Sequence, residues 1–207
     1  LYKHIKNVDP KRPPALSCDF SGPFPPSVDS KKWLLLFVWR VDNVRLVWTF
    51  PVMARTTLVV YDALVEVVGE LSKLTHHSFP PVLVMHSDQA GEFLSAKIFE
   101  FLRERGIRQS FTSGYDPQAN GMAERWIDLT KVRATALLAS LQFGASLWSY
   151  ACIYVSRAHN LKVLGMNPPK LPEFGQCVLF KPKKTPEPFT TRSEVGICVG
   201  HISYIRN

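Results

Sequence analysis

The chain has 207 residues, 46% of them hydrophobic, and a formal net charge of +8 with a sequence pI near 9.4. That length and apolar content fit one sizeable core with a small appendage rather than two full domains, and the positive excess favours a polyanionic partner such as nucleic acid. The longest apolar runs, WLLLFVW and TTLVVYDALVEVV, are too short or too interrupted by charge to span a bilayer, so no membrane partner is expected.

In chain order, the opening LYKHIKNVDPKRPP has no apolar signal region and no initiator methionine, and reads as part of a longer protein. A short apolar strand from Ala15 ends at Asp19 and is followed by the proline-rich turn SGPFPP. KKWLLLFVWRV and RLVWTFPVM, aromatic and β-branched runs separated by Asp42 and Asn43, form a β-hairpin. From Thr56 to about Leu74 the polar residues Asp62, Glu66, Glu70 and Lys73 recur at helical steps, and Pro80 and Pro81 lead from that helix into the strand VLVM. SAKIFEFLRERG is a short helix with a serine cap and Gly106 beyond its end, IRQSFT a strand, and SGYDPQANG a turn-rich loop. Helices from about Asn120 to Leu141 and from about Ala145 to Asn160 follow. Past Pro168 the chain is rich in proline and lysine, with two short strand-like runs.

This order gives an α/β fold, a mixed sheet flanked by helices with a small C-terminal β appendage. The division expected is a leader over 1–11, a core over 12–168, and a basic linker and β tail over 169–207. The scattered cysteines Cys18, Cys152, Cys177 and Cys198 suggest neither a disulfide framework nor a structural zinc site, and point to a reducing compartment.

Three acids stand out. Asp19 and Asp88 close strands and Glu124 lies in the first turns of the long helix, so carboxylates from separate elements could hold the hard divalent cations that phosphodiester chemistry commonly uses in pairs. Thirty-five residues lie between Asp88 and Glu124, an interval that many acid pairs would match by chance. The surroundings are more specific: CDFSGPF around Asp19, HSDQAGEF around Asp88 and DPQANGMAERW around Glu124.

Those three segments, in that order and spacing, resemble the catalytic core of retroviral-type integrases, most closely those of copia-type LTR retrotransposons, over roughly Arg12 to Pro168. FGQCVLF and VGICVGH in the tail resemble the region after the core in copia-type polyproteins. The resemblance implies an RNase H-like fold, with Asp19, Asp88 and Glu124 as catalytic ligands for two Mg²⁺ or Mn²⁺ ions. It also implies a polynucleotidyl transferase. Water attacks near the 3′ end of element DNA, and the freed hydroxyl then attacks target DNA, with no covalent enzyme intermediate. DNA partners, a homo-oligomer assembled on DNA, and action in the nucleus are implied with it.

On the long helix, Glu124, Asp128, Lys131 and Thr135 share a polar stripe, while Ala123, Ile127, Ala134, Leu137 and Leu141 form the core stripe. Lys131 is placed to meet a DNA phosphate or to lie on a solvated face. Asp128 either weakens phosphate contact or hydrogen-bonds within the helix. Gln118 and Asn120 are candidates for DNA contact, with a helix cap as the plain alternative for Asn120. Gly91 is expected to let the backbone turn sharply beside Asp88.

Competing chemistry is weaker. His86, Ser87 and Asp88 are consecutive, so a strand points them to alternate faces and they fail as a hydrolase triad, leaving His86 as a packing residue. His76 and His77 lack nearby cysteines for zinc; a zinc-binding module like that preceding the core in many relatives is not recognised in the sequence. Asp29, Asp42 and Asp116 sit in turns, and KPKK at 181–184 is a phosphate-binding or import patch, or a solvated loop. Two rival functions remain: a catalytically defective nucleic-acid-binding retroelement remnant, and an RNase H-like nuclease that cuts without joining.

Overall fold

A computed structural model describes residues 13–75, 80–111, 121–167, 172–180 and 194–200. The leader, His76, His77, Asp116, Gln118, Asn120 and the KPKK segment lie outside the described residues.

The first five strands are β1 (Ala15–Ser21), β2 (Trp33–Val41), β3 (Val44–Val52), β4 (Val84–Ser87) and β5 (Arg108–Phe111). They form one sheet in the order β3-β2-β1-β4-β5. β1, β2 and β3 pair antiparallel, whereas β1, β4 and β5 pair parallel. Helices α1 (Thr57–Leu74) and α2 (Ala96–Glu104) make the two parallel crossovers, and α3 (Gly121–Ser140) and α4 (Trp148–Leu164) follow β5. This mixed five-stranded sheet, flanked by helices, is the RNase H-like fold expected from the motifs.

WLLLFVW shows no hydrophobic alternation because both faces of β2 are covered. Leu35, Phe37 and Trp39 join the cluster beneath α1 and α2, which contains Leu64, Val67 and Ile98. Leu36 and Val38 meet Ala123 and Ile127 of α3, and Leu34 joins Ala134, Leu138 and Cys152. The hairpin turns where expected, with Asp42 at φ 46°, a left-handed conformation aspartate tolerates.

Local chemistry fixes the helix ends. The Thr56 hydroxyl accepts the Val59 N–H at 3.3 Å, and the Ser95 hydroxyl accepts that of Ile98 at 3.4 Å. Gly106 and Gly165 adopt φ 64° and 63° just beyond α2 and α4. α4 therefore runs past Asn160 to Leu164. Leu141 falls just beyond the last residue of α3 but, with Leu137, packs against the cluster that holds Leu138, as expected of the core stripe. The strand expected at VLVM is shifted to Val84–Ser87, leaving Leu83 partly exposed.

β3 is an edge strand, and α4 blunts it. The Asn160 side chain accepts the Val47 N–H and donates to the Val47 carbonyl, both at 2.7 Å. Asn160→Ala leaves both backbone groups without that partner, so a loss of about 1–3 kcal/mol in urea unfolding is expected, with more self-association through the opened edge. Unchanged stability would remove Asn160 from that role.

In the tail, β6 (Cys177–Phe180) and β7 (Glu194–Ile197) form a two-stranded antiparallel ribbon, the appendage read from the sequence. Phe174, just before it, is buried against Phe143 and Tyr154, with ring centroids 6.3 and 5.2 Å away. Among the described residues, no helix is long and apolar enough to cross a membrane.

Candidate metal and nucleic-acid site

Sheet register brings the first two acids together. Ser17 of β1 lies opposite His86 of the parallel strand β4, so two residues further along each chain reach Asp19 and Asp88 at the same end of the sheet. Glu124 enters from the first turn of α3, which packs across β1 and β2.

Asp19 is half-buried, and its Oδ1 accepts the N–H of Phe20 at 2.7 Å. Burial pushes its carboxyl up to about 6; the Phe20 N–H works against this, the charges of Asp88 and Glu124 raise it further, and Arg55 lowers it. Both other acids therefore act on Asp19 through space. Asp88 Oδ1 accepts the Ala90 N–H at 3.2 Å, and the Glu124 residue is exposed. Among the described residues, no three acids, histidines or cysteines close into a ready-made cation cage. The two observations are compatible, since charges interact over longer distances than a metal–oxygen bond.

An all-carboxylate set that repels itself suits a divalent cation with oxygen ligands, whose charge relieves the repulsion. Because folding raises the Asp19 pKa, its contribution has a definite sign: the penalty is absent at low pH and grows as pH rises from about 4 through 6. Asp19→Asn is therefore expected to stabilise the metal-free protein at pH 7.5 by roughly 1 kcal/mol, after allowance for solvent screening. The gain should shrink towards pH 4.5. Urea unfolding in chelator at both pH values checks it, and a destabilised Asn variant at pH 7.5 would contradict it.

Other positions resolve differently. Lys131 Nζ stands 2.7 Å from Asp128 Oδ1, one turn back on α3, so Asp128 does bond within the helix. Lys131 also borders an apolar cavity of about 580 Å³ lined by Phe24, Leu34, Leu138 and Trp148. His86 is a half-buried strand residue, held below its usual pKa by burial and then by Arg40 and Arg108. Asp29 does more than shape its turn, accepting the hydroxyls of Ser27 at 2.6 Å and Ser149 at 2.7 Å and thereby tying that turn to α4. Against burial, those bonds hold its carboxyl below the usual range.

The expectation for Gly91 is corrected. It begins a turn without a left-handed φ, and a Cβ there would meet nothing within 4 Å, so nothing requires glycine sterically. Sequence reading also passed over Arg55 and Glu92. Glu92 sat unused inside HSDQAGEF, and Arg55 belongs to no motif.

No protein-family model matches the chain. It is 34% identical over 107 residues to the Pro-Pol polyprotein of simian foamy virus type 1, covering 52% of this chain and 8% of that protein. To the Pro-Pol polyprotein of feline foamy virus it is 32% identical over 120 residues, 58% of this chain and 9% of that protein. It thus spans less than a tenth of the polyproteins it matches. The finer likeness to copia-type elements rests on the motifs alone. Among solved structures it is similar to the BIV integrase catalytic core domain, with TM-score 0.47, 20% identity, and coverage of 67% of this chain and 77% of that one. It is also similar to the HTLV-2 integrase catalytic core domain in complex with magnesium, with TM-score 0.49, 16% identity, and coverage of 72% and 82%. Over about half of its length the chain is thus similar to foamy virus Pro-Pol polyproteins, and its sheet order is the one expected from the three acidic motifs.

Proposed function

We propose that this chain is a DNA-directed polynucleotidyl transferase that trims 3′ ends of element DNA and joins them to target DNA. The observation that supports the reading is the parallel β1–β4 register, which brings Asp19 and Asp88 to one end of the sheet, with Glu124 in the first turn of the helix packed across β1. Asp19 and Asp88, at the ends of adjacent parallel strands, would hold Mg²⁺ or Mn²⁺ from the sheet side, and Glu124 from α3. Two such ions, when bound, supply Lewis-acid activation of the attacking oxygen and charge neutralisation at the leaving oxygen.

The chain's own part is geometric. The central strand β1 carries Asp19, the β1–β4 register sets Asp88 at the same end of the sheet, and α3, packed across β1 and β2, carries Glu124, so one set of carboxylates would serve both in-line displacements. Lys131, released from Asp128, would take a backbone phosphate, and Gln118 and Asn120 would contact the DNA end. Assembly as a homo-oligomer on DNA, action in the nucleus, and a core over 12–168 with an accessory tail over 169–207 belong to the same reading. The net charge of +8 supports a polyanionic partner.

The test is a joining reaction with a labelled donor duplex and an unlabelled target in Mn²⁺. Labelled products longer than the donor are expected. Shortened products alone would show a nuclease that cuts without joining. Salt-sensitive DNA binding with no product would show the defective remnant.

A further inference from the structure

Resting on that reading of the acids, we propose that Arg55 and Glu92 form a positioning clamp that holds the loop carrying Asp88 against the strand carrying Asp19. Arg55 stands between the end of β3 and Thr56, the cap of α1, so its backbone is fixed on both sides. Its guanidinium lies 5.0 Å from the centroid of the Phe20 ring and 5.3 Å from that of Trp33. Arg55 Nε donates to Glu92 Oε1 at 2.5 Å, and Nη2 pairs with the same oxygen. Phe20 directly follows Asp19, and Glu92 comes four residues after Asp88. One side chain therefore links both acid-bearing segments.

Among the described residues, the Asp88 loop is also anchored by the Gln109 side chain of β5, which donates to the Phe93 carbonyl at 2.9 Å. Phe93 is fully buried, with its ring 5.8 Å from Phe20, and short turns close on Ala90 and Gly91. Gly91 is in open space. Phe93 and Glu92, neighbours in the chain, both tie the loop to this cluster, since the Phe20 ring contacts both Phe93 and the Arg55 guanidinium. A cation cluster needs its ligands held to about 0.5 Å, and partners that orient such ligands are worth roughly 10–100-fold in metal affinity or activity. Arg55 and Glu92 are positioning residues, since they act through Asp19 and Asp88.

Position and local field give different signs. Removing the positive charge of Arg55 would by field alone tighten cation binding, whereas removing the negative charge of Glu92 would loosen it. Loss of the clamp loosens it in both cases. The experiment measures Mn²⁺ binding to the full chain without DNA, by calorimetry or free-Mn²⁺ EPR, with Asp88→Asn identifying the site. Arg55→Ala and Glu92→Ala are each expected to weaken that site about tenfold, with folding followed by near-UV circular dichroism. Arg55→Lys, which keeps the charge and loses the fork, is expected between wild type and Arg55→Ala and serves if either alanine variant fails to fold. Opposite shifts in the alanine variants, or shifts under twofold, or an Arg55→Lys protein with wild-type affinity, would overturn the clamp and leave the metal site standing. A wild type with no Mn²⁺ site sensitive to Asp88→Asn would overturn the metal reading and the clamp with it.

Discussion

Asp88→Asn and Glu124→Gln are each expected to lower metal-dependent DNA cleavage by more than about a hundredfold, since even partners outside the ligand set typically cost 10–100-fold. Folding should be nearly untouched. The Glu124 residue is exposed, so its amide variant loses charge without losing packing. Asn at 88 keeps an oxygen able to accept the Ala90 N–H that Asp88 Oδ1 takes at 3.2 Å. Removing one negative charge from a basic chain should leave DNA affinity equal or slightly higher. Cleavage of an end-labelled duplex, with filter binding and thermal unfolding alongside, separates these effects. Either variant retaining wild-type cleavage would remove that residue from the site.

Trp39→Ala is expected to produce the largest loss of stability, about 3–5 kcal/mol. Trp39 is fully buried in the cluster beneath α1 and α2, and its Nε1 donates to the Pro81 carbonyl at 2.6 Å. The substitution leaves a cavity and takes the partner from a carbonyl on the approach to β4. β2 also pairs along all of β1, so the loss reaches the strand that carries Asp19. Trp39→Phe should fall between wild type and Trp39→Ala. Urea unfolding decides it, and a loss below about 1 kcal/mol would show that the core closes around the missing ring.

How far the sequence could be read depended on how local each cause was. The hairpin at Asp42, the serine cap of α2 and the amphipathic stripe of α1 are set by residues within a few positions of one another, and they formed as expected. The triad depended on more. The acids could be nominated from CDFSGPF, HSDQAGEF and DPQANGMAERW, but adjacency of Asp19 and Asp88 requires parallel pairing of β1 with β4, which no short-range pattern encodes. The family resemblance supplied that step.

Residues whose partners are remote in sequence were missed. Arg55 is 37 positions from Glu92, and its aromatic partners come from β1 and β2, so nothing near it in the chain hinted at a role. Asn160 read as the end of a helix, while its amide serves Val47 at 113 residues' separation. Gly91 failed in the opposite direction, since glycine suggested a special backbone and the turn takes an ordinary one.

The central claim is that Asp19, Asp88 and Glu124 share divalent cations, and anomalous diffraction from crystals grown with Mn²⁺ tests it most directly. The expected result is manganese between Asp19 and Asp88, with carboxylate oxygens about 2.1 Å from the ion, and Glu124 drawn into the same cluster. Manganese bound elsewhere on the chain, or none at these carboxylates under millimolar Mn²⁺, would contradict it.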